Sequence, residues 1–334
     1  MSRLVIATGA DEAFALPLAV TLFSAAERLE PTEAADVYVL DGGLSGPTRE
    51  RLLRTLAATG RDLTVRFVQP QLKVLAGLPA GRFGPMAYLR VLVPESLPPD
   101  VAHAVYLDSD LLVQDSLRGL WAERSDGHAI AAVPDYGGPQ VSAPACLPNW
   151  ADLGLPADAP YINTGVLVMN LGWWRAEGIG RRILDHCHRY RDLNRYAEQD
   201  GVNAVLCRVC KPIDLRWNVP AYLEFDALFH QIDPSWVKTA AAARRAELLT
   251  AGAVIHFIGG RKPWGRGLAS QTQRRWLAAM TRSGWFTGEP LGLLKTLLPI
   301  WVDYPLRHGV RFVRRWTRRP PAARTDSLLT GTEN

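Results

Sequence analysis

The feature that most constrains this chain is the alternation of short apolar runs with helix-like stretches over its first two-thirds. Leu4–Thr8, Val37–Leu40, Val65–Val68, Ala104–Leu107, Ile130–Val133 and Ile162–Met169 are apolar runs bounded by polar or turn residues, which predicts strands. Between them, Phe14–Glu30 reads as a helix that tolerates Pro17 only in its first turn. Thr48–Ala58 places Leu52, Leu53 and Leu56 at helical spacing and stops at Gly60. Pro85–Val93 predicts a helix carrying Arg90, and further helices are expected at Glu177–Arg191 and Glu198–Leu206, with a late strand at Val254–Phe257. Such a pattern implies an α/β fold with a mainly parallel sheet covered on both faces. Ligands of these sheets bind at the carboxyl ends of the strands, so chemistry is expected just after Leu107.

Composition narrows the class. The chain has 334 residues, 48% of them apolar and 21% charged, enough to bury a sizeable core. No uncharged apolar run of about 18 residues reads as a membrane-spanning helix. Met1–Gly9 is too short and too quickly polar for a secretory signal and reads as a first strand. The formal charge of +5 is uneven: residues 307–324 hold seven arginines and no acid, leaving the rest at −2. That distribution argues against nucleic acid as a partner. Cys207 and Cys210 have CxxC spacing, but no second pair exists to complete a zinc site, so buried free thiols are the reading for all four cysteines.

The sharpest local feature is Val105-Tyr106-Leu107-Asp108-Ser109-Asp110-Leu111-Leu112-Val113. Two carboxylates one residue apart at a strand end can bind one hard divalent cation, and that cation can hold a diphosphate and stabilise its departure. A solvated turn would not need apolar residues on both sides. Further on, Val254-Ile255-His256-Phe257-Ile258-Gly259-Gly260-Arg261-Lys262-Pro263-Trp264 offers an imidazole as a third ligand. Its glycines allow backbone to approach a phosphate, and Lys262 supplies a charge for it.

Together these segments resemble glycosyltransferase family 8, whose members include bacterial lipopolysaccharide galactosyl- and glucosyltransferases and glycogenin. The resemblance spans roughly residues 3–285. It is strengthened by Tyr161-Ile162-Asn163-Thr164-Gly165, by Glu198-Gln199-Asp200-Gly201-Val202-Asn203 and by Trp217-Asn218. It implies a GT-A fold, Rossmann-like with a mixed, mainly parallel sheet, and Mn²⁺ as cofactor, with Mg²⁺ as the alternative. By the same resemblance Asp108, Asp110 and His256 are the metal ligands, and Asp108 and Ser109 belong to the donor site. Gly259 and Lys262 contact the diphosphate, and Arg90 reaches the donor sugar or phosphate. Ala7 and Asp11 match the segment that holds uracil and ribose, although residues 8–14 depart from the family pattern by carrying extra residues. Asp135, Asn163 and Gln199 match positions that contact the transferred sugar. Glu198 and Asp135 are the carboxylates available for covalent catalysis, and Gln199 is a poor nucleophile.

The implied reaction is retaining transfer of a hexose, galactose or glucose, from a UDP-sugar to a glycan or glycolipid hydroxyl, as in lipopolysaccharide biosynthesis. The catalytic domain is expected over 1–285. An apolar and basic segment over 286–319 has the composition of an anchor on an anionic membrane surface, and a disordered tail is expected over 320–334. These readings place the protein in the cytoplasm, peripheral on the inner face of the membrane. Two alternatives remain at this level. A haloacid-dehalogenase-like phosphatase also uses Asp-x-Asp, but it expects Gly-Thr soon after the second Asp, where this chain has Leu111-Leu112-Val113. A catalytically dead UDP-sugar-binding membrane protein would keep the motifs without the chemistry.

Overall fold

The computed structural model describes residues 3–225, 242–260, 262–265, 270–294 and 296–297. The chain opens on β1 (Leu4–Ala10), which pairs in parallel with β2 (Ala34–Asp41); β2 pairs in parallel with β3 (Asp62–Val68). It then crosses to the other side of β1, where β4 (His103–Leu107) is also parallel. Next to β4 lies β7 (Ile162–Asn170), antiparallel to it and to β6 (Ile130–Pro134), and β8 (Cys210–Pro212) follows in parallel with β6. The order β3-β2-β1-β4-β7-β6-β8 is a mixed, mainly parallel sheet. Its direction of growth reverses between β1 and β4, the point at which ligands of open α/β sheets bind.

A second sheet was foreshadowed in the sequence only by its last strand, the run Val254–Phe257. Leu111–Val113 forms β5, which pairs antiparallel with β10 (Val254–His256); β10 in turn pairs in parallel with β9 (Val219–Pro220). The apolar residues on both sides of the Asp-x-Asp are thereby explained. Leu107 and those before it belong to the large sheet, and Leu111 and those after it to the small one. The carboxylates sit in the three-residue link between them.

One core serves both sheets. Leu4, Ile6 and Val37 of the large sheet share it with Leu111, Val113, Val254 and Ile255 of the small one, and with α1 (Ala15–Glu27). Eleven residues of α1 are buried, so it is apolar nearly all round rather than on one stripe. Two of its few polar side chains reach the link. Thr21 Oγ1 accepts from the Leu111 N–H at 3.0 Å and faces the carbonyls of Ser109 and Leu111, and Ser24 Oγ accepts from the Val113 N–H at 3.0 Å. Three residues apart on a helix, they share one face and hold the segment that carries Asp110.

Three elements differ from expectation. The first helix is split: a 3₁₀ turn over Glu12–Phe14, capped by Asp11, precedes α1, and Pro17 does fall in its first turn. Pro85–Leu92 is a 3₁₀ helix, followed by a short α3 (Val93–Ser96). Pro94 has no N–H to give to the Arg90 carbonyl, and the Val93 N–H takes that carbonyl instead. The Glu177–Arg191 helix starts late, as α6 (Ile179–Arg189), because Gly178 at φ +56° breaks it from the preceding α5 (Leu171–Ala176). All four cysteines are buried and free, and burial pushes the Cys210 thiol up to about 12.

In the stretch from residue 286, Phe286, Leu293 and Leu297 pack against the main core, while Leu291 and Leu294 are exposed. Residues 298–334, with the seven arginines and the expected tail, lie outside the described residues. Among the described residues, no helix is long and apolar enough to cross a membrane.

Thr21→Val keeps the shape of the side chain but leaves the buried Leu111 N–H without a partner. We expect a loss of about 1–3 kcal/mol, measured by urea unfolding. An unchanged midpoint would show that Thr21 does not hold the link.

Candidate active site

The pairing of the small sheet assembles the centre of the site. His256 lies opposite Leu111 in the register of β10 on β5, so the imidazole arrives beside Asp110. Its Nε2 lies 3.2 Å from Asp110 Oδ1 and 3.7 Å from Asp108 Oδ2. On the other side, the Asp108 N–H donates to the Gly165 carbonyl at 2.8 Å, fastening the link to β7. Gly165 has no freedom to be anything else: a Cβ there would meet His256 Cε1 at 2.2 Å and Asp108 Oδ2 at 3.0 Å. Asp108, Asp110 and His256 each offer a ligand atom, all within 4.8 Å of one another. Two carboxylates, Asp110 buried and Asp108 half-buried, and one imidazole suit Mg²⁺ or Mn²⁺ better than a thiol-seeking metal. Three protein ligands also leave coordination positions for a substrate's oxygens.

Two cations flank this cluster. Gly259, at φ +84°, turns the chain after β10 so that Lys262 Nζ returns to the Phe257 carbonyl at 2.6 Å and Asp110 Oδ2 at 2.5 Å. Arg90, on the 3₁₀ helix, is buried and donates to Asp108 Oδ1 at 2.7 Å and Thr164 Oγ1 at 2.6 Å. Its second ion pair is with Glu198 Oε1 at 3.1 Å. Burial raises the Asp108 carboxyl, with Arg90 opposing. Burial also acts to raise Asp110, but Lys262 and His256 outweigh it and hold that carboxyl well below the usual range. Glu198 is pushed up to about 7 by burial, against the pull of Arg90. The site therefore pushes neighbouring carboxyls in opposite directions within one cluster, as functional clefts often do.

The cluster forms the floor of a cleft with two lobes. A lobe of about 470 Å³ lies at the carboxyl end of β1 and is lined by Gly9, Ala10, Asp11, Phe14, Met86 and Ser109. The other, of about 290 Å³, is lined by Asp135, Tyr161, Asn163, Tyr196, Gln199 and Tyr222. Arg90, Asp108, Asp110, Gly259 and Lys262 line both. Volumes of this order hold small organic ligands.

Most of the residues singled out in the sequence meet in this cleft. Asp135, Asn163 and Gln199 form one polar group: Asn163 Nδ2 and Gln199 Nε2 both donate to Asp135 Oδ2, at 3.0 and 3.2 Å, and Asp135 Oδ1 accepts from the Gly137 N–H at 2.7 Å. The amide of Gln199 is oriented by the Thr164 N–H, which donates to its Oε1 at 3.2 Å. Asp11 borders the first lobe while capping the 3₁₀ turn through the Phe14 N–H. Ala7 is not brought to the cleft. It is fully buried within β1, because that strand runs on to Ala10, and the cleft begins at Gly9. Glu12 turns away to accept from the Ser45 N–H and Thr48 Oγ1 near the start of α2 (Gly46–Ala57).

Two residues that the sequence placed only within motifs, with no role of their own, prove functional. The Thr164 hydroxyl joins Arg90 to Glu198, at 3.1 Å from Glu198 Oε1. Asn218, 1% exposed, bridges His256 and Asn163. A faint signal existed for Thr164, as a hydroxyl in the middle of an apolar strand must find a partner when buried.

A family model described as glycosyl transferase family 8 matches residues 5–267. General stress protein A of Bacillus subtilis (strain 168) is 22% identical over 290 residues, which cover 85% of this chain and 96% of that protein. Lipopolysaccharide 1,3-galactosyltransferase of Salmonella typhimurium is 22% identical over 205 residues, 59% of this chain and 55% of that protein. Among solved structures, galactosyltransferase LgtC in complex with donor and acceptor sugar analogues aligns with a TM-score of 0.69 and 25% identity. That alignment covers 83% of this chain and 95% of that one.

Gly165→Ala tests how tightly the cluster is built. The added methyl displaces His256, and we expect Mn²⁺ affinity to fall about 10- to 100-fold, as when a ligand loses its orientation. Isothermal titration without nucleotide measures it. Wild-type affinity would mean that His256 is not a ligand.

Proposed function

The chain belongs to glycosyl transferase family 8, has that family's GT-A fold and is a hexosyltransferase by class, and from that premise we propose that it moves galactose or glucose from a UDP-sugar to a hydroxyl of a glycan or glycolipid with retention of anomeric configuration. The observation that carries this reading is the convergence of Asp108, Asp110 and His256 at the switch point between β1 and β4, with Arg90 and Lys262 beside them. A nucleotide sugar requires that order of surfaces: a lobe for the nucleoside, a charged floor for the diphosphate and a polar lobe for the hexose.

A divalent cation, Mn²⁺ on this proposal, would be held by Asp108, Asp110 and His256 and would neutralise charge on the diphosphate. Lys262 and Arg90 contribute the remaining positive charge, fixed in place before the reaction begins. Asp135, Asn163 and Gln199 line the lobe where the hexose would lie and are suited to reading its hydroxyls. The Gln199 oxygen is committed to the Thr164 N–H, which argues against a nucleophilic role. Both Asp135 oxygens accept backbone or amide hydrogens, and Glu198 is paired with Arg90. These engagements favour same-face transfer. The acceptor oxygen bonds to the anomeric carbon as the carbon–phosphate oxygen bond breaks, and the acceptor's proton passes to the departing phosphate.

Family membership removes the phosphatase alternative. The catalytically inactive sugar-nucleotide binder is separated by experiment. With Mn²⁺ and no acceptor, we expect slow UDP release from one UDP-hexose of a panel, abolished by chelation. Asp108→Asn should lower that release on the order of 100-fold or more, the scale of losing one charge-stabilising group. Donor binding without release would favour the inactive binder, and full activity of Asp108→Asn would refute the metal assignment.

The segment from residue 286 fits a peripheral place on the inner face of the cytoplasmic membrane, where a glycolipid acceptor would be met. Exposed Leu291 and Leu294 and the arginines of 307–324 support that reading. Removing residues 298–334 leaves Leu293 and Leu297 on the core. This truncation should abolish sedimentation with anionic liposomes and spare UDP release; unchanged sedimentation would count against an anchor.

A further inference from the structure

Hydrogen-bond direction can be traced through the cleft from one fixed point. A backbone N–H can only donate, so the Gly165 N–H, 3.0 Å from the Asn163 side chain, requires that Asn163 present Oδ1 to it. Asn163 Nδ2 then faces Asp135 Oδ2, which as a carboxylate oxygen accepts. The same Asn163 Oδ1 lies 2.8 Å from the Asn218 amide, which must therefore offer Nδ2. That leaves Asn218 Oδ1 turned to His256 Nδ1 at 2.9 Å, and His256 must donate from Nδ1. With Nδ1 committed to Asn218, Nε2 is the nitrogen turned to Asp108 and Asp110, and the one that a cation bound between them would use.

We propose that Asn218 is the positioning residue that selects the metal-binding tautomer of His256 and, through Asn163, ties the metal cluster to the Asp135 and Gln199 group of the sugar lobe. Asn218 lines neither lobe and touches no group of the proposed donor, so it acts through its two neighbours. The chain folds this way because Asn218 immediately precedes β9, whose parallel pairing with β10 sets it alongside His256. At 1% exposure, neither end of its amide has water as a ready substitute. Partners of a ligating histidine fix its ring and tautomer in just this manner.

The link between the halves has a functional consequence. A donor sugar that shifts Asp135 or Asn163 strains the support of His256, and metal binding stiffens the group that meets the sugar. This rests on the donor-site reading above, but two of its readouts do not involve transfer.

The experiment compares Asn218→Asp and Asn218→Ala in the full chain. Aspartate keeps an oxygen for His256 Nδ1–H and loses the donor to Asn163; alanine loses both. The first readout is the His256 Nδ1 proton in ¹H–¹⁵N spectra of metal-free protein, expected in wild type and Asn218→Asp and absent in Asn218→Ala. The second is the Mn²⁺ dissociation constant by titration without nucleotide. We expect it to weaken about 10- to 100-fold in Asn218→Ala and to stay near wild type in Asn218→Asp. The third is kcat/KM for the UDP-hexose, expected to fall in both variants. Equal Mn²⁺ affinity in wild type and Asn218→Ala, or equal weakening in both variants, overturns the tautomer assignment. Undiminished kcat/KM in Asn218→Asp overturns the tie to the sugar lobe. Should Asn218→Ala fail to fold, the Asn218→Asp results decide alone: kept Mn²⁺ binding with lost turnover supports the proposal, and any other combination refutes it. If wild type itself releases no UDP, the transfer reading fails while the spectra and the Mn²⁺ titration still judge Asn218.

Discussion

The pairing of β10 with β5 is the interaction on which the site depends. Three residues link Leu107 in the large sheet to Leu111 in the small one, and two of the three are carboxylates. A one-residue slip of β10 would turn His256 to the opposite face of its strand and leave the acids without their third partner. Several devices resist that slip. Val113 pairs with Val254 and Leu112 with Ile255 inside the shared core, the Phe257 N–H donates to the Asp110 carbonyl at 3.0 Å, and Thr21 and Ser24 bond the link from the helix side. Core packing and cleft geometry are therefore one constraint seen from two sides. The same apolar residues that bury the small sheet set the spacing between an imidazole and two acids.

Concentrating buried charge here is costly unless each group is paired. Arg90 bears both Asp108 and Glu198, and burial alone would act to lower its own basicity; the two acids reverse that and keep it cationic. Lys262 plays the corresponding part for Asp110. The pairing is asymmetric. Asp110 is held firmly ionised, whereas burial pushes Asp108 and Glu198 toward the protonated form. A divalent cation at this point would oppose the effect of burial on Asp108 and favour its ionised form. A diphosphate would in turn compete with the carboxylates for the two basic side chains, so metal and diphosphate would be expected to bind better together than apart.

What the sequence disclosed was local, and what it hid was not. Strand β1, the Asp-x-Asp after β4 and the histidine ending β10 each have a signature within a few residues. Apolar runs and turn residues report on the chain's own conformation, so the large sheet was legible. Of the small sheet only β10 was legible, since two- and three-residue strands have no period to detect, and β10 pairs with segments 36 and more than 140 residues away. The 3₁₀ closure around Arg90 reflects Pro94, just beyond the expected helix, which has no N–H for the Arg90 carbonyl. Ala7 was matched by family resemblance to the segment that holds uracil and ribose, but β1 runs two residues past its expected end at Thr8 and buries Ala7 within the strand. Thr164 and Asn218 act by bridging other side chains, and a residue's own neighbourhood in sequence names no partner, beyond the hint that a hydroxyl in an apolar strand needs one.

The polar lobe is built almost without slack, and this bears on selectivity for the proposed hexose. Asp135 accepts three hydrogens, Asn163 is bonded at both ends of its amide, and Gln199 is held by Thr164 on one side and Asp135 on the other. A sugar hydroxyl entering this lobe must either add to an acceptor's remaining lone pairs or displace one of these bonds. Galactose and glucose differ in the direction of one hydroxyl, so on the proposed function an epimer that keeps these bonds would be preferred over one that displaces one. A buried group left unpaired in that exchange costs about 1–3 kcal/mol, roughly a 5- to 150-fold preference at 298 K. Selectivity of that size would arise from the fixed orientation of two amides rather than from the shape of the cleft. Both orientations lead back to backbone donors on β7, at Thr164 and Gly165, which side-chain substitution elsewhere cannot reverse.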